Sequence, residues 1–130
     1  MRALNSNILI VSVFQLKLSQ ALSHDTHREV LTALQDSGVP VLELQGRYNG
    51  VNELSILVDG FEHRATVERI AKTFNQECYL ESHNDRATFL VYPDGRRESI
   101  GTLVGVSKHE AETVGSYSYN PLVDQYFVTR

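Results

Sequence analysis

An asparagine–glycine pair between two strand-like stretches restricts the fold of this chain more than any other feature. Residues 41–48 precede Asn49-Gly50 and residues 52–58 follow it, and both stretches are rich in Val, Leu and Ile. Asn-Gly is the strongest short signal for a tight β-hairpin, because both residues adopt the positive φ angles that such a turn needs. The sequence therefore predicts a hairpin near the middle of the chain.

Two helices of similar length are predicted on either side of this hairpin. Thr26 and Glu29 have the spacing of a capping box, and the apolar stripe behind them predicts a helix over residues 26–37. Apolar residues at i, i+3, i+4 and i+7 predict a second helix over residues 62–76, with one apolar face directed at a sheet.

Short β-like stretches account for most of the remainder. They are residues 8–18, which predict a central strand emerging toward solvent, and residues 78–81, 87–92 and 99–106. The tail from Tyr117 to Val128 is aromatic-rich and poor in charge. We expect it to form an edge strand that completes the sheet; the alternative is an arm that reaches a neighbouring subunit's cleft.

The order βαββαβ with a β extension predicts an α+β fold in a single domain over residues 1–130. The expected architecture is a ferredoxin-like sandwich, in which an antiparallel sheet carries both helices on one face. The other face of such a sheet is bare. Covering it usually requires oligomerisation, and a closed trimer with the sheets facing inward is one solution.

Composition and charge exclude several functional classes. A net charge of -4, with the cationic residues scattered among acidic ones, argues against nucleic acid as a partner. The longest apolar run, Ile8 to Phe14, is about a third of a membrane-spanning helix, so we expect a cytoplasmic protein without a membrane partner. Cys78 is the single cysteine, which excludes an internal disulfide, and we expect it to be buried and inert.

Tyr48 and Glu53 on either side of the predicted turn are the best candidates for a functional site. A tight turn would hold an aromatic ring and a carboxylate close together, and a glycine would clear space beside them. Such a pair is suited to form a binding site for a small cationic ligand.

Two registers of the hairpin are open at this point. A two-residue turn places Tyr48 opposite Val51 and Gly46 opposite Glu53, so that the tyrosine and the glutamate share a face. The apolar residues of the two strands then lie on opposite faces, which the pattern does not favour. A three-residue loop with a bulge would bring the apolar residues of the two strands together. It would also place Glu53 across from Arg47 in an exposed ion pair. A subunit interface is a third way to bring the tyrosine of one chain to the glutamate of another.

Other candidate residues carry weaker signals. His24 and His27 straddle a helix start without a third ligand, so we expect surface histidines and no metal site. His83 lies in a polar turn and either lines a cleft or is solvated. Gly101 and Gly105 lack the strand-then-helix context of a phosphate loop, and no Ser-His-Asp arrangement follows from the spacing.

Several short motifs, taken in order, resemble those of one enzyme family. They are Val11-Ser12-Val13-Phe14, the helix with His27 and Arg28, Gly46-Arg47-Tyr48, Glu53 ahead of a strand, Glu77-Cys78 after the second helix, and Leu90-Val91-Tyr92. Together they resemble the phage S-adenosylmethionine-degrading enzymes, formerly called hydrolases and now regarded as lyases. The resemblance covers nearly the whole chain.

This resemblance implies a trimer of ferredoxin-like subunits similar to the GlnB (PII-like) superfamily, with active sites between neighbouring subunits. The family's catalytic residues would fall on Tyr48 and Glu53, although relatives can carry a longer insertion between the two. Phe14, Gly46, Ser82 and His83 are the candidate substrate-binding residues. A phage gene that depletes the methyl donor of host restriction-modification systems is the implied biological role.

The implied reaction needs no cofactor and no enzyme nucleophile. S-adenosylmethionine carries a sulfonium leaving group and a carboxylate that can attack the γ-carbon, which releases methylthioadenosine and closes homoserine lactone. One alternative is a hydrolase in which Glu53 activates water and homoserine is released. Another is a non-enzymatic PII-like nucleotide sensor or interaction protein, although the short hairpin counts against the long loop of such sensors.

Overall fold

The computed structural model describes residues 7–15, 19–48 and 50–130. Eight strands and three helices follow one another along these residues. They are β1 (Ile8–Val11), α1 (Gln20–Asp36), β2 (Val41–Tyr48), β3 (Val51–Asp59), α2 (Arg64–Thr73, after a 3-10 turn at Phe61–His63), β4 (Tyr79–Ser82), β5 (Ala87–Val91), β6 (Arg97–Val106), α3 (Lys108–Val114), β7 (Tyr117–Asn120) and β8 (Gln125–Thr129).

The strands form a closed antiparallel barrel in the order β1-β3-β2-β7-β8-β6-β5-β4. The predicted ferredoxin-like sandwich is therefore wrong. Strands β4, β1, β3 and β2 do lie side by side in that order. However, β2 also pairs with β7 on its other side, and β4 also pairs with β5. Because both edges of the sheet find further partners, the sheet closes on itself and leaves no unpaired edge.

The tail closes this barrel. Strand β7 pairs with β2, with Ser118 opposite Gly46, and β8 pairs with β6, with Phe127 opposite Gly105. The predicted edge strand is thus wrong, since both tail strands are paired on two sides within their own protomer. The short helix α3 was missed because seven residues are too few to show an apolar stripe.

Both faces of the sheet are buried. Outside the barrel, a core lies between the sheet and the first two helices and includes Leu9, Val11, Ile56, Val58 and Val67. Inside, a second core includes Ile8, Ile10, Leu44, Leu57, Leu103 and Phe127. The bare sheet face expected from the sequence is the inside of the barrel, which the barrel itself covers. The argument for a trimer from an uncovered face therefore does not apply.

The first helix begins earlier than predicted. Its N-cap is Ser19, whose hydroxyl accepts a hydrogen bond from the Leu22 N–H at 3.2 Å. Thr26, the predicted cap, instead donates to the Leu22 carbonyl at 3.0 Å inside the helix. Helix α2 is shorter than predicted and buries Val67 and Ala71.

The first strand is also shorter than the stretch 8–18 predicted from its pattern. It ends at Val11, residues 12–15 are irregular, and residues 16–18 lie outside the described residues. The remaining predicted strands before the tail agree with the structure to within two residues at each end. In the part of the chain that the structure describes, no helix has both the length and the apolar character that a membrane crossing requires.

Candidate active site

The hairpin adopts the register of a two-residue turn. Tyr48 pairs with Val51 and Gly46 with Glu53, which confirms that register. The bulged alternative is wrong: Arg47 lies opposite Asn52 and donates to its Oδ1 at 3.2 Å. The apolar residues on opposite faces do not oppose this register, because each face has a core of its own.

Tyr48 and Glu53 consequently share one face and line the same cavity, of about 770 Å³. The segment after β1 contributes Ser12 and Phe14 to its wall, and β3 contributes Ser55. A smaller apolar cavity of about 170 Å³ lies within the barrel and is also lined by Tyr48. Tyr48 therefore lies, with Ile10, Leu80 and Leu90, at the boundary between the larger cavity and the apolar interior.

The position of the Tyr48 ring depends on Gly46 of its own strand and on Ser118 of the neighbouring strand β7. A Cβ atom at Gly46 would collide with this ring, so the absence of a side chain allows the ring to lie over the strand. The Tyr48 hydroxyl is hydrogen-bonded to the Ser118 hydroxyl, with 2.5 Å between the oxygens. Sequence reasoning missed Ser118, because it lies 70 residues from Tyr48 and no local pattern connects the two.

Tyr48 is a neutral phenol in this environment. Burial raises the pKa of its hydroxyl and the negative charge of Glu53 raises it further, against the opposing effect of the Ser118 hydrogen bond. A phenol that holds its proton is not a general base. It can present a ring face to a cation or donate a hydrogen bond.

Glu53 is half-buried, and its burial raises the pKa of the carboxyl group above the usual glutamate value. The Ser12 hydroxyl opposes this shift from within hydrogen-bonding reach of the carboxyl. Ser12 is itself held in place, because its oxygen accepts from the Phe14 N–H at 3.0 Å. Burial thus makes the ionised carboxylate costly until a cation accompanies it.

The wall of the cavity favours a cationic ligand. Among the described residues that line it, the Asp, Glu, Lys and Arg side chains comprise two glutamates, Glu53 and Glu77, and no lysine or arginine. A ligand carboxylate in this cavity would meet no cationic side chain from those residues. A sulfonium or ammonium group would meet negative charge and a tyrosine ring.

The predicted substrate-binding residues fall into two groups. Phe14 lines the cavity, and Gly46 lies beneath the Tyr48 ring. Ser82 pairs with Ile8 at the far end of β1, and its hydroxyl is hydrogen-bonded to Thr88 at 3.0 Å. The structure therefore brings Phe14 and Gly46 to the tyrosine and the glutamate, and places Ser82 at the other end of the strand.

His83 also lies at that far end, in a network around the buried carboxylate of Glu81. Its Nε2 is 2.9 Å from Glu81 Oε2, and Arg64 Nε donates to the other carboxylate oxygen at 2.9 Å. Arg97 contacts the same carboxylate. This network joins α2 to the barrel wall, and gives His83 structural partners that the sequence did not predict.

The remaining candidates are placed as follows. His24 is exposed, but His27 is buried and its Nε2 is 2.9 Å from Glu43 Oε1, so the prediction of a surface position for His27 is wrong. Burial is the main cause of the lowered pKa of His27.

Cys78 is half-buried at the cavity wall, and burial raises the pKa of its thiol, which keeps the sulfur protonated.

The sequence matches one known protein family. The model of the S-adenosylmethionine lyase family matches residues 9–130. The chain belongs to this family. No curated protein matches the chain. The match confirms the resemblance seen in the sequence motifs, and it makes the chain an S-adenosylmethionine lyase with S-adenosylmethionine as its substrate.

Proposed function

We propose that this S-adenosylmethionine lyase cleaves its substrate by intramolecular attack at the cavity lined by Tyr48 and Glu53. The substrate carboxylate forms a bond to the γ-carbon, and the carbon–sulfur bond breaks with its electron pair passing to sulfur. The products are methylthioadenosine, in which the sulfur is neutral, and homoserine lactone. No proton is transferred. The observation that carries the proposal is the cavity itself, in which the tyrosine and the glutamate share one face and no described residue supplies a positive side chain.

Each side chain then has a distinct task. The face of the Tyr48 ring positions the sulfonium, since a ring face attracts a cation without forming a covalent bond. Glu53 binds the substrate ammonium, which compensates the cost of its burial. The substrate carboxylate meets no described lysine or arginine in the cavity wall and remains free to attack.

The rate enhancement comes mainly from holding the bent conformer of the substrate. The attack is intramolecular in the free substrate too, so the enzyme contributes by holding the nucleophile within reach of its target and removing the cost of reaching that improbable conformation. Because the carboxylate and the sulfonium neutralise each other as the bond breaks, a cavity with little water favours the transition state over the charged ground state.

Isotope labelling tests the course of the reaction. In water enriched in oxygen-18, intramolecular attack leaves the γ-oxygen of the product unlabelled, because that oxygen comes from the substrate carboxylate. Rapidly quenched samples should contain lactone before homoserine accumulates. Homoserine that carries the label on its γ-oxygen from the earliest time would contradict the proposal and indicate direct attack by water.

A trimer with sites completed by neighbouring subunits stays a proposal that rests on the family resemblance. One protomer supplies both Tyr48 and Glu53 to a single cavity, so this pair does not require an interface. Mixing two inactive variants, Tyr48→Ala and Glu53→Gln, should therefore restore no activity, with light scattering to give the oligomeric state. Recovery toward about a quarter of the wild-type rate on mixing would show that the pair is shared between chains.

The biological role that we propose is depletion of the methyl donor in the cytoplasm of a phage-infected host, so that restriction-modification systems which use it lose activity. Expression of the chain in bacteria should lower the cellular S-adenosylmethionine pool and reduce methylation of host DNA. The Glu53→Gln variant at equal abundance is the matched control. Unchanged pools with active protein present would contradict this role.

A further inference from the structure

Ser55 has a buried hydroxyl that the fold leaves without a partner. The residue is 2 % exposed, and its Oγ makes no hydrogen bond within the described residues. Leaving a buried hydroxyl unpaired destabilises a fold, because the group loses its hydrogen bonds to water without replacement. This side chain also lines the cavity that contains Tyr48 and Glu53. An unpaired polar group in the wall of a binding cavity is available to a ligand.

The position of Ser55 relates it to both proposed catalytic residues. It follows Glu53 by two residues on β3, so the two side chains share a face with their Cα atoms about 7 Å apart. Its hydroxyl lies beside that of Tyr48, close enough to lower the tyrosine's pKa, but without hydrogen-bond geometry. The Tyr48 hydroxyl is bonded to Ser118 instead.

Two other polar side chains in the cavity wall, those of Gln76 and Ser12, are already engaged. Gln76 uses its amide nitrogen for the carbonyls of Phe14 at 2.7 Å and Phe74 at 3.2 Å. Ser12 donates to the Leu54 carbonyl at 3.2 Å. Ser55 therefore brings an uncommitted hydroxyl donor to the deep part of the cavity.

We propose that Ser55 donates a hydrogen bond to the substrate carboxylate and positions it behind the γ-carbon. The inference rests on the reaction proposed above. The substrate's ammonium and carboxylate are attached to one carbon, so a substrate with its ammonium at Glu53 has its carboxylate within a few ångströms of that point. In the bent conformer the carboxylate must also approach the sulfonium at Tyr48. Ser55 lies two residues beyond Glu53 on the same face of β3, and its hydroxyl lies beside that of Tyr48, so it can reach a carboxylate held next to both residues.

A hydroxyl suits this task better than a cationic side chain. A guanidinium or ammonium group would stabilise the carboxylate most strongly before attack, when its charge is greatest, and would thereby raise the barrier. A single neutral donor orients the carboxylate with a smaller ground-state cost. Ser55 is thus a substrate-contacting residue whose contribution depends on the presence of the carboxylate.

Binding of two inert substrate analogues tests this inference. Both carry nitrogen in place of the sulfonium sulfur, and one of them also lacks the carboxylate. By isothermal titration calorimetry, Ser55→Ala should weaken the carboxylate-bearing analogue about tenfold and the decarboxylated analogue less than about twofold. Ser99→Ala, at an exposed position on β6, is the matched control and should change neither affinity.

Three results would overturn the inference. The first is an equal loss of affinity for both analogues in Ser55→Ala, which would show that Ser55 acts through Tyr48. The second is no loss of affinity for either analogue. The third is a wild-type protein that binds neither analogue. The melting temperature of Ser55→Ala should be unchanged or higher, because the substitution removes an unpaired buried hydroxyl. Formation of homoserine lactone with an unlabelled γ-oxygen from the sulfonium substrate by the wild type tests the proposed function separately. A failure of one proposal is thus distinguishable from a failure of the other.

Discussion

At the scale of single residues, the proposed site combines side chains that are costly to the fold. The Glu53 carboxyl is held where burial raises its pKa, and the Ser55 hydroxyl is buried without a partner. Gly46 leaves a gap that the Tyr48 ring fills. Groups whose environment disfavours them in the empty protein are common at sites that bind ligands, because the ligand supplies the missing interaction.

Glu53→Gln should separate activity from stability. We expect turnover to fall about 100-fold or more, because the amide cannot pair with the substrate ammonium and the reactive conformer is lost. The free energy of unfolding at neutral pH should be unchanged or higher, since the variant no longer buries a charge. Steady-state kinetics and thermal denaturation measure the two effects. A variant that loses activity together with stability would point to a structural role for Glu53.

The raised pKa of Glu53 also predicts a pH dependence. The ionised form binds the substrate, so kcat/KM should fall as the pH drops through a value above 4.5, the ordinary pKa of this carboxyl. For stability the sign is opposite: the folded protein takes up this proton more readily than the unfolded chain, so the contribution of Glu53 to stability falls as the pH rises through the same window. Glu53→Gln should remove both effects. An acid limb of kcat/KM at or below the ordinary value would contradict the assignment.

Gly46→Ala should displace the Tyr48 ring. The added Cβ atom would collide with that ring, and the ring cannot keep both its place and its bond to Ser118. We expect activity to fall about 100-fold while the barrel stays folded. Gly95→Ala is a useful comparison for the steric effect, since a Cβ atom at Gly95 would meet nothing within 4 Å, although its positive φ adds backbone strain. Equal activity losses in both variants would argue against the steric explanation.

At the scale of elements, the position of α2 depends on a charge network rather than on apolar contact alone. The carboxylate of Glu81 is 2 % exposed and is surrounded by Arg64, Arg97 and His83, which come from α2, β6 and the turn after β4. The residues after α2, which include Asn75 and Gln76, line the candidate active-site cavity. The network therefore helps to fix one wall of the cavity from a distance.

Glu81→Gln should lower the free energy of unfolding by about 1 to 3 kcal/mol, because two guanidinium groups would face each other without the carboxylate between them. The two arginine side chains are 41 % and 43 % exposed, which limits the loss through solvent screening. Urea denaturation measures the change in the free energy of unfolding. Glu110→Gln, in the exposed pair with Arg130 at 2.5 Å, is the matched control and should cost less than about 1 kcal/mol. Similar losses in the two variants would contradict a special role for the Glu81 network.

At the scale of the whole molecule, barrel closure connects the end of the chain to the site. Strand β7 supplies Ser118, which holds Tyr48, and β8 supplies Phe127 to the interior core. Because a closed sheet has no free edge, the tail strands protect their neighbours as well as themselves. The aromatic tail is therefore part of both the fold and the proposed site.

Removal of residues 125–130 should open the barrel between β6 and β7. We expect loss of cooperative unfolding and a tendency to aggregate, since the edges of β6 and β7 and the interior core would be exposed. Circular dichroism during heating and size-exclusion chromatography measure these effects. Ser118→Ala in the full-length chain is the milder test: it should retain the barrel and reduce activity. A truncated chain that unfolds cooperatively and stays active would show that closure is dispensable.

The sequence by itself determined the local features of this protein. The Asn-Gly pair located the hairpin and singled out Tyr48 and Glu53, and the short motifs identified the family, whereas the choice between the two hairpin registers came from the structure. The tertiary structure decided the sheet closure, the partners of His27 and His83, and the positions of Ser55 and Ser118 next to Tyr48. The reason is the range of the interactions. A turn is specified by adjacent residues, whereas β2 and β7 pair across about 70 residues, and their choice of partner depends on which edges the rest of the chain leaves open.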